Sequence, residues 1–399
     1  MKKNSLFLGL LSLTLLACYS PDPFVAETTE VSESDKISAI GKIYPINKDQ
    51  QVCNPSVSQD TVNYPASMLW LNFGGTLNVN APDSVYTLHQ ADGLDLHDRL
   101  TVVDTANNVK WYFMRSKGEC EFQDPEWSTH ANFIVALRGY DIDGSTACHN
   151  KDFGIFAVRM SDKKRFWFFE KNIISEATPH VWVKPSAETE KDGDASTVEG
   201  FFGTKEVRLT YVDGTENHPL DIVFIDFANG GKEKAIKLNK PVDRGDWRID
   251  SPLISPDGNF VVYNMTMQSD EKTWEAYVQE LSKDSKPVKI ERTKDMMSEP
   301  AQPHWFAFNG RLFVLWTEFP AGSRMQNRVN LMEASAQDGS AGRTVMREIR
   351  LTAGAPADLA VEWVGENKEI APIPMMGGRS PDGKFLATGT DNAYLLKLP

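Results

Sequence analysis

A recurring turn-and-strand segment constrains the fold of this chain more than any other feature of its sequence. Ser255-Pro256-Asp257-Gly258 precedes the apolar run Phe260–Tyr263, and Ser380-Pro381-Asp382-Gly383 precedes Phe385–Ala387. Proline presets φ at the second turn position, aspartate tolerates the third, and glycine adopts the left-handed conformation from which a strand can begin. Each short apolar run therefore indicates a buried strand that follows a tight turn.

Degenerate copies of the segment recur along the chain. Pro125–Ala136 matches Pro252–Tyr263 without a gap, and Pro303–Trp316 matches with one inserted residue. Pro179–Trp182 begins a further copy, whose strand is delayed to Val207–Tyr211 by a polar insertion. The equivalent positions are spaced by 54, 73, 51 and 74 residues: Pro125, Pro179, Pro252, Pro303 and Gly377. Repeats of short strands at such a period are typical of β-propellers, and these long periods predict protruding loops.

We therefore predict an all-β chain in which residues 43–399 form one β-propeller of about six blades, with five or seven as alternatives. Each blade is predicted to be a four-stranded antiparallel sheet. The last repeat supplies only two strands before the chain ends, so we expect strands from residues 36–115 to close the ring. Met68–Leu71 and Val109–Phe113 are the candidates for this closure.

The turn-and-strand segment followed by two further strands resembles the TolB-like (WD40-like) repeats over roughly residues 120–399. Only two copies carry the complete Ser-Pro-Asp-Gly motif. The resemblance implies a propeller that is part of an envelope complex, an interpretation that a lipid anchor would weaken. TolB itself is a soluble periplasmic protein, so an anchored chain would differ from it.

The amino terminus has the layout of an export signal. Lys2 and Lys3 precede an apolar run, Leu6–Leu16, that is too short to span a bilayer as a helix. Leu15-Leu16-Ala17-Cys18 resembles the lipobox of bacterial lipoproteins, which implies cleavage before Cys18 and acylation of that cysteine. Two or three acyl chains would hold the chain on a membrane. The alternative is an ordinary secretory signal with a chance cysteine.

Sorting and composition extend this interpretation. The residue after the cysteine is Tyr19 rather than aspartate, which favours the outer membrane over the inner membrane in the lipoprotein sorting rule. Residues 19–42 are rich in acidic and small polar residues and poor in large apolar ones, so we expect a flexible acidic tether. The predicted location is therefore the cell envelope, on a side of the membrane that the sequence does not specify.

The charge balance argues against nucleic acid as a partner. The chain has 42 basic and 55 acidic residues, and removal of Lys2 and Lys3 with the signal leaves 40 basic residues. Affinity for a phosphate backbone rests on cationic neutralisation, and no cluster of Lys or Arg provides it here. The predicted partners are instead the membrane, through the lipid, and an envelope protein or polysaccharide.

Three thiols remain once Cys18 is acylated. Cys120 and Cys148 flank one predicted strand region and are the preferred disulfide, while Cys53 could pair with either of them instead. The spacings that zinc sites require are absent from the sequence.

Two groups of residues could bind a ligand. Asp141, Asp143 and Ser145 alternate as in a calcium loop, although no glutamate completes an EF-hand and a turn between strands needs the same residues. Among the histidines, His180 and His304 both follow a template proline and His130 lies in a degenerate turn. They could face a ligand in the channel or serve as structural residues at blade edges.

Three tryptophans at a similar repeat phase predict blade packing first and a sugar platform second: Trp127, Trp182 and Trp305.

The sequence contains no nucleophile elbow, no Cys–His pair at family spacing and no phosphate loop, so it assigns no catalytic residue and no cofactor apart from the calcium alternative. The leading hypothesis is a noncatalytic binding or scaffolding propeller, and the alternative is a glycan-active hydrolase or lyase. Carboxylates that converge with aromatic walls at the channel would favour the enzyme.

Overall fold

The computed structural model of this chain is an all-β propeller of six blades, as predicted. It describes residues 41–47, 52–72, 77–82, 97–116, 118–142, 151–185, 194–215, 218–241, 247–267, 274–293, 298–320, 342–353, 359–388 and 393–399. The predicted signal peptide with Cys18, and all but the last two residues of the predicted tether, lie outside these ranges. No helix in the described part of the chain is long and apolar enough to cross a membrane.

Five blades are formed by consecutive antiparallel strands. Blade 1 consists of β2 (Val52–Val57), β3 (Ser67–Asn72), β4 (Arg99–Asp104) and β5 (Val109–Met114). Blade 2 consists of β6 (Glu119–Trp127), β7 (Phe133–Asp141), β8 (Lys151–Arg159) and β9 (Arg165–Ile173). Blade 3 consists of β10 (His180–Val183), β11 (Val207–Thr215), β12 (His218–Asp226) and β13 (Ile236–Lys237). Blade 4 consists of β14 (Trp247–Ile254), β15 (Phe260–Met267), β16 (Trp274–Glu280) and β17 (Val288–Lys289). Blade 5 consists of β18 (Ser298–Phe308), β19 (Arg311–Pro320), β20 (Arg343–Thr352) and β21 (Ala360–Ala371).

Blade 6 joins the two ends of the described chain. Its strands are β22 (Phe385–Thr388) and β23 (Ala393–Lys397), with β1 (Lys42–Ile46) paired antiparallel along the far side of β23. A single bridge from Arg379 to Leu386 marks the place of the fourth strand. Closure thus comes from the predicted region but not from the predicted candidates, because residues 68–71 and 109–113 lie within β3 and β5 of blade 1 and are already paired there.

The hydrophobic core is divided into six main clusters, one between each pair of neighbouring blades. Strands in a propeller expose both sheet faces to neighbouring blades, so apolar residues line both faces of the central strands. Between blades 2 and 3, a short helix α1 (Val198–Phe202) adds Phe201 and Phe202 to the core. Its amino end is capped by the Thr197 side chain, which accepts a hydrogen bond from the Gly200 N–H.

Candidate functional site

The first strand of each blade carries an irregularity at the same place. In five blades the residue before the template proline has a positive φ: Asn54 (46°), Asp124 (46°), Thr178 (37°), Ser251 (51°) and Gln302 (50°). Strand pairing shifts register at this dipeptide in β2, β6, β14 and β18. Because proline lacks the N–H that would continue the ladder, the strand bulges there. Five blades therefore share one backbone distortion, and a polar side chain occupies it in every case.

These residues surround a single cavity of about 210 Å³, which we call the acidic cavity. It is lined by residues of all six blades: Asn54, Pro55, Asp124, Pro125, Glu126, Glu176, Thr178, Pro179, Asp250, Ser251, Leu253, Gln302, His304 and Met376. Because every blade contributes, the acidic cavity lies on the propeller axis. The bulges are what bring these polar side chains together.

Blade 6 contributes differently to the ring. Gly377 stands where the other blades have proline, and a Cβ at this position would lie 2.0 Å from the Pro55 carbonyl oxygen. The Gly377 carbonyl accepts a hydrogen bond from the Val57 N–H at 2.7 Å. The backbones of blades 6 and 1 therefore meet directly at the axis, and no side chain of Gly377 enters the cavity.

Two carboxyl groups of blade 2 are held in unusual protonation states. Burial, with further contributions from Asp250 and Glu176, raises the pKa of Asp124 to about 8, and burial raises the pKa of Glu126 to about 8. Asp124 accepts a hydrogen bond from the Asn54 amide, and Glu126 accepts one from the Ser56 hydroxyl at 2.6 Å. Both carboxyls are thus mostly protonated at neutral pH.

The remaining two carboxylates of the cavity come from blades 3 and 4. Asp250 accepts a hydrogen bond from the Ser251 hydroxyl at 2.9 Å. Glu176 lies 3.7 Å from the guanidinium of Arg248, which does not line the cavity. Four carboxyl groups therefore converge on one small space.

The three candidate histidines have different surroundings. His180 Nδ1 accepts a hydrogen bond from the Ile254 N–H at 2.9 Å, and its ring also bonds to the main chain of Trp127. The ring thus joins blades 2, 3 and 4, and burial lowers its pKa to about 3. His130 lies in the turn after β6, where Nδ1 accepts from the Asn132 N–H at 3.2 Å, and it lines neither axial cavity.

Of the three candidate histidines, only His304 lines the acidic cavity. Its Nδ1 is 3.0 Å from the Gln302 carbonyl oxygen. A carbonyl only accepts, so Nδ1 carries the hydrogen and Nε2 has the lone pair in the neutral ring. Burial lowers the pKa of His304 to about 4, which keeps the ring neutral. Within the described ranges Nε2 has no hydrogen-bond partner.

A second cavity of about 310 Å³, here called the aromatic cavity, lies further along the axis. Its walls include Trp127, Trp305, Phe306 and Arg379. Glu126, Leu253 and His304 border both cavities and form the narrow layer between them.

The tryptophans serve blade packing. Trp182 donates its Nε1–H to the Pro256 carbonyl at 2.9 Å, and Trp305 donates to the Leu253 carbonyl at 2.9 Å, in each case in a neighbouring blade. Trp127 is 1% exposed and donates to the Ala131 carbonyl. These bonds commit the three indole N–H groups to contacts within and between the blades.

The two complete repeat turns hold themselves together. The Ser255 hydroxyl donates to the Asp257 carboxylate and accepts from the Phe260 N–H, while the Gly258 N–H donates to the Ser255 carbonyl. The same three bonds recur in the second copy, formed by Ser380, Asp382, Gly383 and Phe385. Pro256 and Pro381 border the aromatic cavity. Asp257 and Asp382 are thus turn-forming residues.

The other predicted site residues lie apart from the axis. Asp141 is buried at the end of β7, whereas Asp143 and Ser145 lie outside the described residues. Cys120 is disulfide-bonded, and its predicted partner Cys148 also lies outside them. Within the described part of the chain, no group of three His, Cys, Asp or Glu side chains could hold a metal ion.

Of the residues that line the acidic cavity, His304 was among the predicted candidates, whereas the four carboxyl residues and Gln302 were not. A signal was present, because the residue before each template proline is polar. The repeat in blade 1 was also not predicted. Its signal is that Ser58 follows Pro55 at the same spacing at which Ser255 follows Pro252.

Comparisons with known proteins add only distant structural similarities. No family model and no curated protein matches the chain. An oligogalacturonate lyase in complex with manganese is 9% identical, with 88% of this chain and 78% of that chain covered at a TM-score of 0.39. The hydrazine synthase of Kuenenia stuttgartiensis is 12% identical, with coverage of 88% and 78% and a TM-score of 0.39. The alpha-L-arabinanase of Cellvibrio cellulosa complexed with arabinohexaose is 10% identical, with coverage of 79% and 96% and a TM-score of 0.33. At these low scores the similarities carry no argument about function.

Proposed function

We propose that this chain is an exported lipoprotein whose propeller binds an envelope protein or glycan, without catalysis, through the acidic cavity. The observation that carries the binding site is the set of five polar residues with positive φ before a proline, all of which line one axial space. Residues before proline are restricted to extended conformations, so positive φ at five of them is costly. A cost repeated in five blades supports a shared purpose for the cavity.

The anchoring part of the proposal rests on the lipobox-like segment that ends in Cys18. We expect the native protein to partition into the detergent phase of a Triton X-114 extraction and the Cys18→Ser variant into the aqueous phase. Mass spectrometry of the amino-terminal peptide should show the acyl groups. A native protein that stays in the aqueous phase would contradict lipid anchoring.

The binding part is tested by retention of envelope components on the mature chain with Cys18→Ser. We expect saturable binding of an envelope protein or a polysaccharide, measured by pull-down from envelope extract and by a glycan array. The Asp124→Asn, Asp250→Asn double variant should lose it. The matched control is Glu199→Gln with Glu362→Gln, since these two carboxylates are 62% and 66% exposed and lie away from the axis. Equal binding by both double variants would exclude the cavity as the site.

A glycan-active hydrolase or lyase is the second candidate, and one observation favours it. Asp124 and Glu126 have raised pKa values and share the cavity with Glu176 and Asp250, and a protonated carboxyl group is the usual general acid of glycoside cleavage. Among the described lining residues of the acidic cavity there is no Phe, Tyr or Trp, which favours binding over cleavage. Release of reducing ends or unsaturated products from an envelope polysaccharide, lost in Asp124→Asn, would establish the enzyme instead.

A further inference from the structure

We propose that the acidic cavity recognises a primary ammonium group, an inference that rests on the proposed binding function and specifies its ligand chemistry. Four carboxyl groups line the cavity, and no Lys or Arg is among its described lining residues. Two of the carboxyls belong to one bulge, Asp124 and Glu126, and two come from the next blades, Glu176 and Asp250. A ligand that enters this space therefore meets carboxyl groups from three blades.

Two buried side chains point to a missing donor independently of the carboxyl groups. Gln302 is 7% exposed, and its side-chain amide makes no hydrogen bond within the described part of the chain. His304 is 6% exposed and lines the same cavity, and the lone pair of its neutral ring is on Nε2. Polar groups in protein interiors are normally hydrogen-bonded, so these two acceptors are open to a donor that enters the cavity. A bound donor would satisfy both the Gln302 amide oxygen and His304 Nε2.

The size and spacing of the site favour an organic cation over a metal ion. No three described carboxylate, imidazole or thiol groups are placed to hold a metal. A cavity of about 210 Å³ is far larger than a bare ion but has room for an ammonium group with part of the molecule that carries it. A primary ammonium has three N–H donors, which match the acceptors that the cavity offers: the carboxyl groups, the Gln302 amide oxygen and His304 Nε2.

Charge distinguishes an ammonium from a neutral hydroxyl or amide. Burial, together with the charges of Asp250 and Glu176, raises the pKa of Asp124 to about 8 and opposes its ionisation. A bound cation supplies the missing counter-charge, so ionisation of Asp124 becomes favourable and its proton leaves for solvent. A neutral ligand gives no such release. Binding of an ammonium near neutral pH should therefore be accompanied by net proton release.

The test uses the detergent-solubilised mature chain and two pairs of probes in isothermal titration calorimetry. Glucosamine and N-acetylglucosamine represent an amino sugar with and without its ammonium, and glycinamide and N-acetylglycinamide represent a peptide amino terminus. We expect acetylation to weaken binding at least tenfold, because hydrogen bonds to charged groups contribute about 1.5–3 kcal/mol. The pair that binds more tightly identifies the source of the ammonium. Repeating the titration in two buffers of different ionisation enthalpy measures the protons released.

Three variants separate the site from general effects. Asp124→Asn and Gln302→Leu should each weaken the free amine about tenfold or more, and Asp124→Asn should also reduce proton release. Glu199→Gln with Glu362→Gln should change neither quantity. Acetylated probes that bind as well as the free amines would overturn the inference, and so would the absence of saturable binding by both free amines.

Failure of this inference is distinguishable from failure of the proposed function. An envelope ligand that is retained by the cavity and is unaffected by acetylation of its amines would exclude the ammonium while leaving the binding function intact. The absence of any retained envelope ligand would contradict the function itself.

Discussion

Gly258 allows backbone strain and packing to be measured separately at one residue type. Its φ is +79°, and a Cβ there would lie 2.7 Å from the Trp182 ring. Gly310 has a similar φ of +72° with nothing within 4 Å. We expect Gly310→Ala to cost about 1–2 kcal/mol in the free energy of unfolding, from left-handed strain alone. Gly258→Ala should cost clearly more, because Trp182 must also shift. Urea denaturation measures the free energy of unfolding of both variants. Equal losses would mean that the Trp182 ring moves aside without an energetic penalty.

The site shows what could and could not be predicted from single residues. The sequence placed His180 and His304 in similar Pro-His contexts, yet only His304 keeps a ring nitrogen for the cavity. The difference arises from the two adjacent blades, because the His180 ring bonds both to the Ile254 N–H and to the main chain of Trp127. Contacts between blades depend on how the ring closes, and the order of residues in one repeat does not contain that information. The polar residue before each template proline could have been predicted from the sequence, because it recurs at a fixed place in the repeat.

Strand β1 provides a prediction at the scale of an element. Ile46 is 1% exposed in the cluster shared by blades 6 and 1, whereas Val62 is 83% exposed. We expect Ile46→Ala to lower the free energy of unfolding by about 2–4 kcal/mol, because it leaves a cavity at the closure. Val62→Ala should be nearly neutral. Guanidinium denaturation followed by tryptophan fluorescence tests the pair, and similar small effects would show that β1 contributes little to ring stability.

Strands were predictable where the turn chemistry survived and unpredictable where it was lost. Blades 4 and 6 carry complete Ser-Pro-Asp-Gly turns, and their following strands were found at the right residues. In blade 1 the turn reads Ser58-Gln59-Asp60, without the proline and glycine, so its strands were mistaken for closure strands. Only pairing in three dimensions could show that five residues, Lys42–Ile46, complete the last blade.

The whole molecule should be less stable in alkaline than in neutral solution. Folded Asp124 and Glu126 have pKa values of about 8, while the unfolded carboxyls titrate near 4. The folded state therefore holds protons that the unfolded state has lost, so stability falls as pH rises toward 8. Below about pH 6.5 the histidines oppose this trend, since unfolded His180 and His304 gain protons that the folded rings do not.

We expect the free energy of unfolding to drop by about 2–4 kcal/mol between pH 6.5 and 8 as a result of the two carboxyls. The Asp124→Asn, Glu126→Gln double variant should flatten this dependence, and the exposed double variant Glu199→Gln, Glu362→Gln should retain it. Urea titrations at several pH values provide the measurement. An unchanged slope in the cavity variant would show that these groups are ionised in the folded protein.

The pairing of Lys42 with Lys397 has a consequence for the order of events in time. A chain is synthesised from its amino end, so β1 is made long before β23. The strands of the intervening blades can pair locally while β1 is still unpaired. Bringing together segments so distant in sequence is entropically slow. Through that interval β1 and the face of blade 1 lack their partner, and they are the surfaces through which a nascent chain would aggregate or meet a chaperone. We therefore expect closure of the ring to be the last step of folding. Because residues of all six blades line the acidic cavity, a ring that has not closed lacks the complete ligand site.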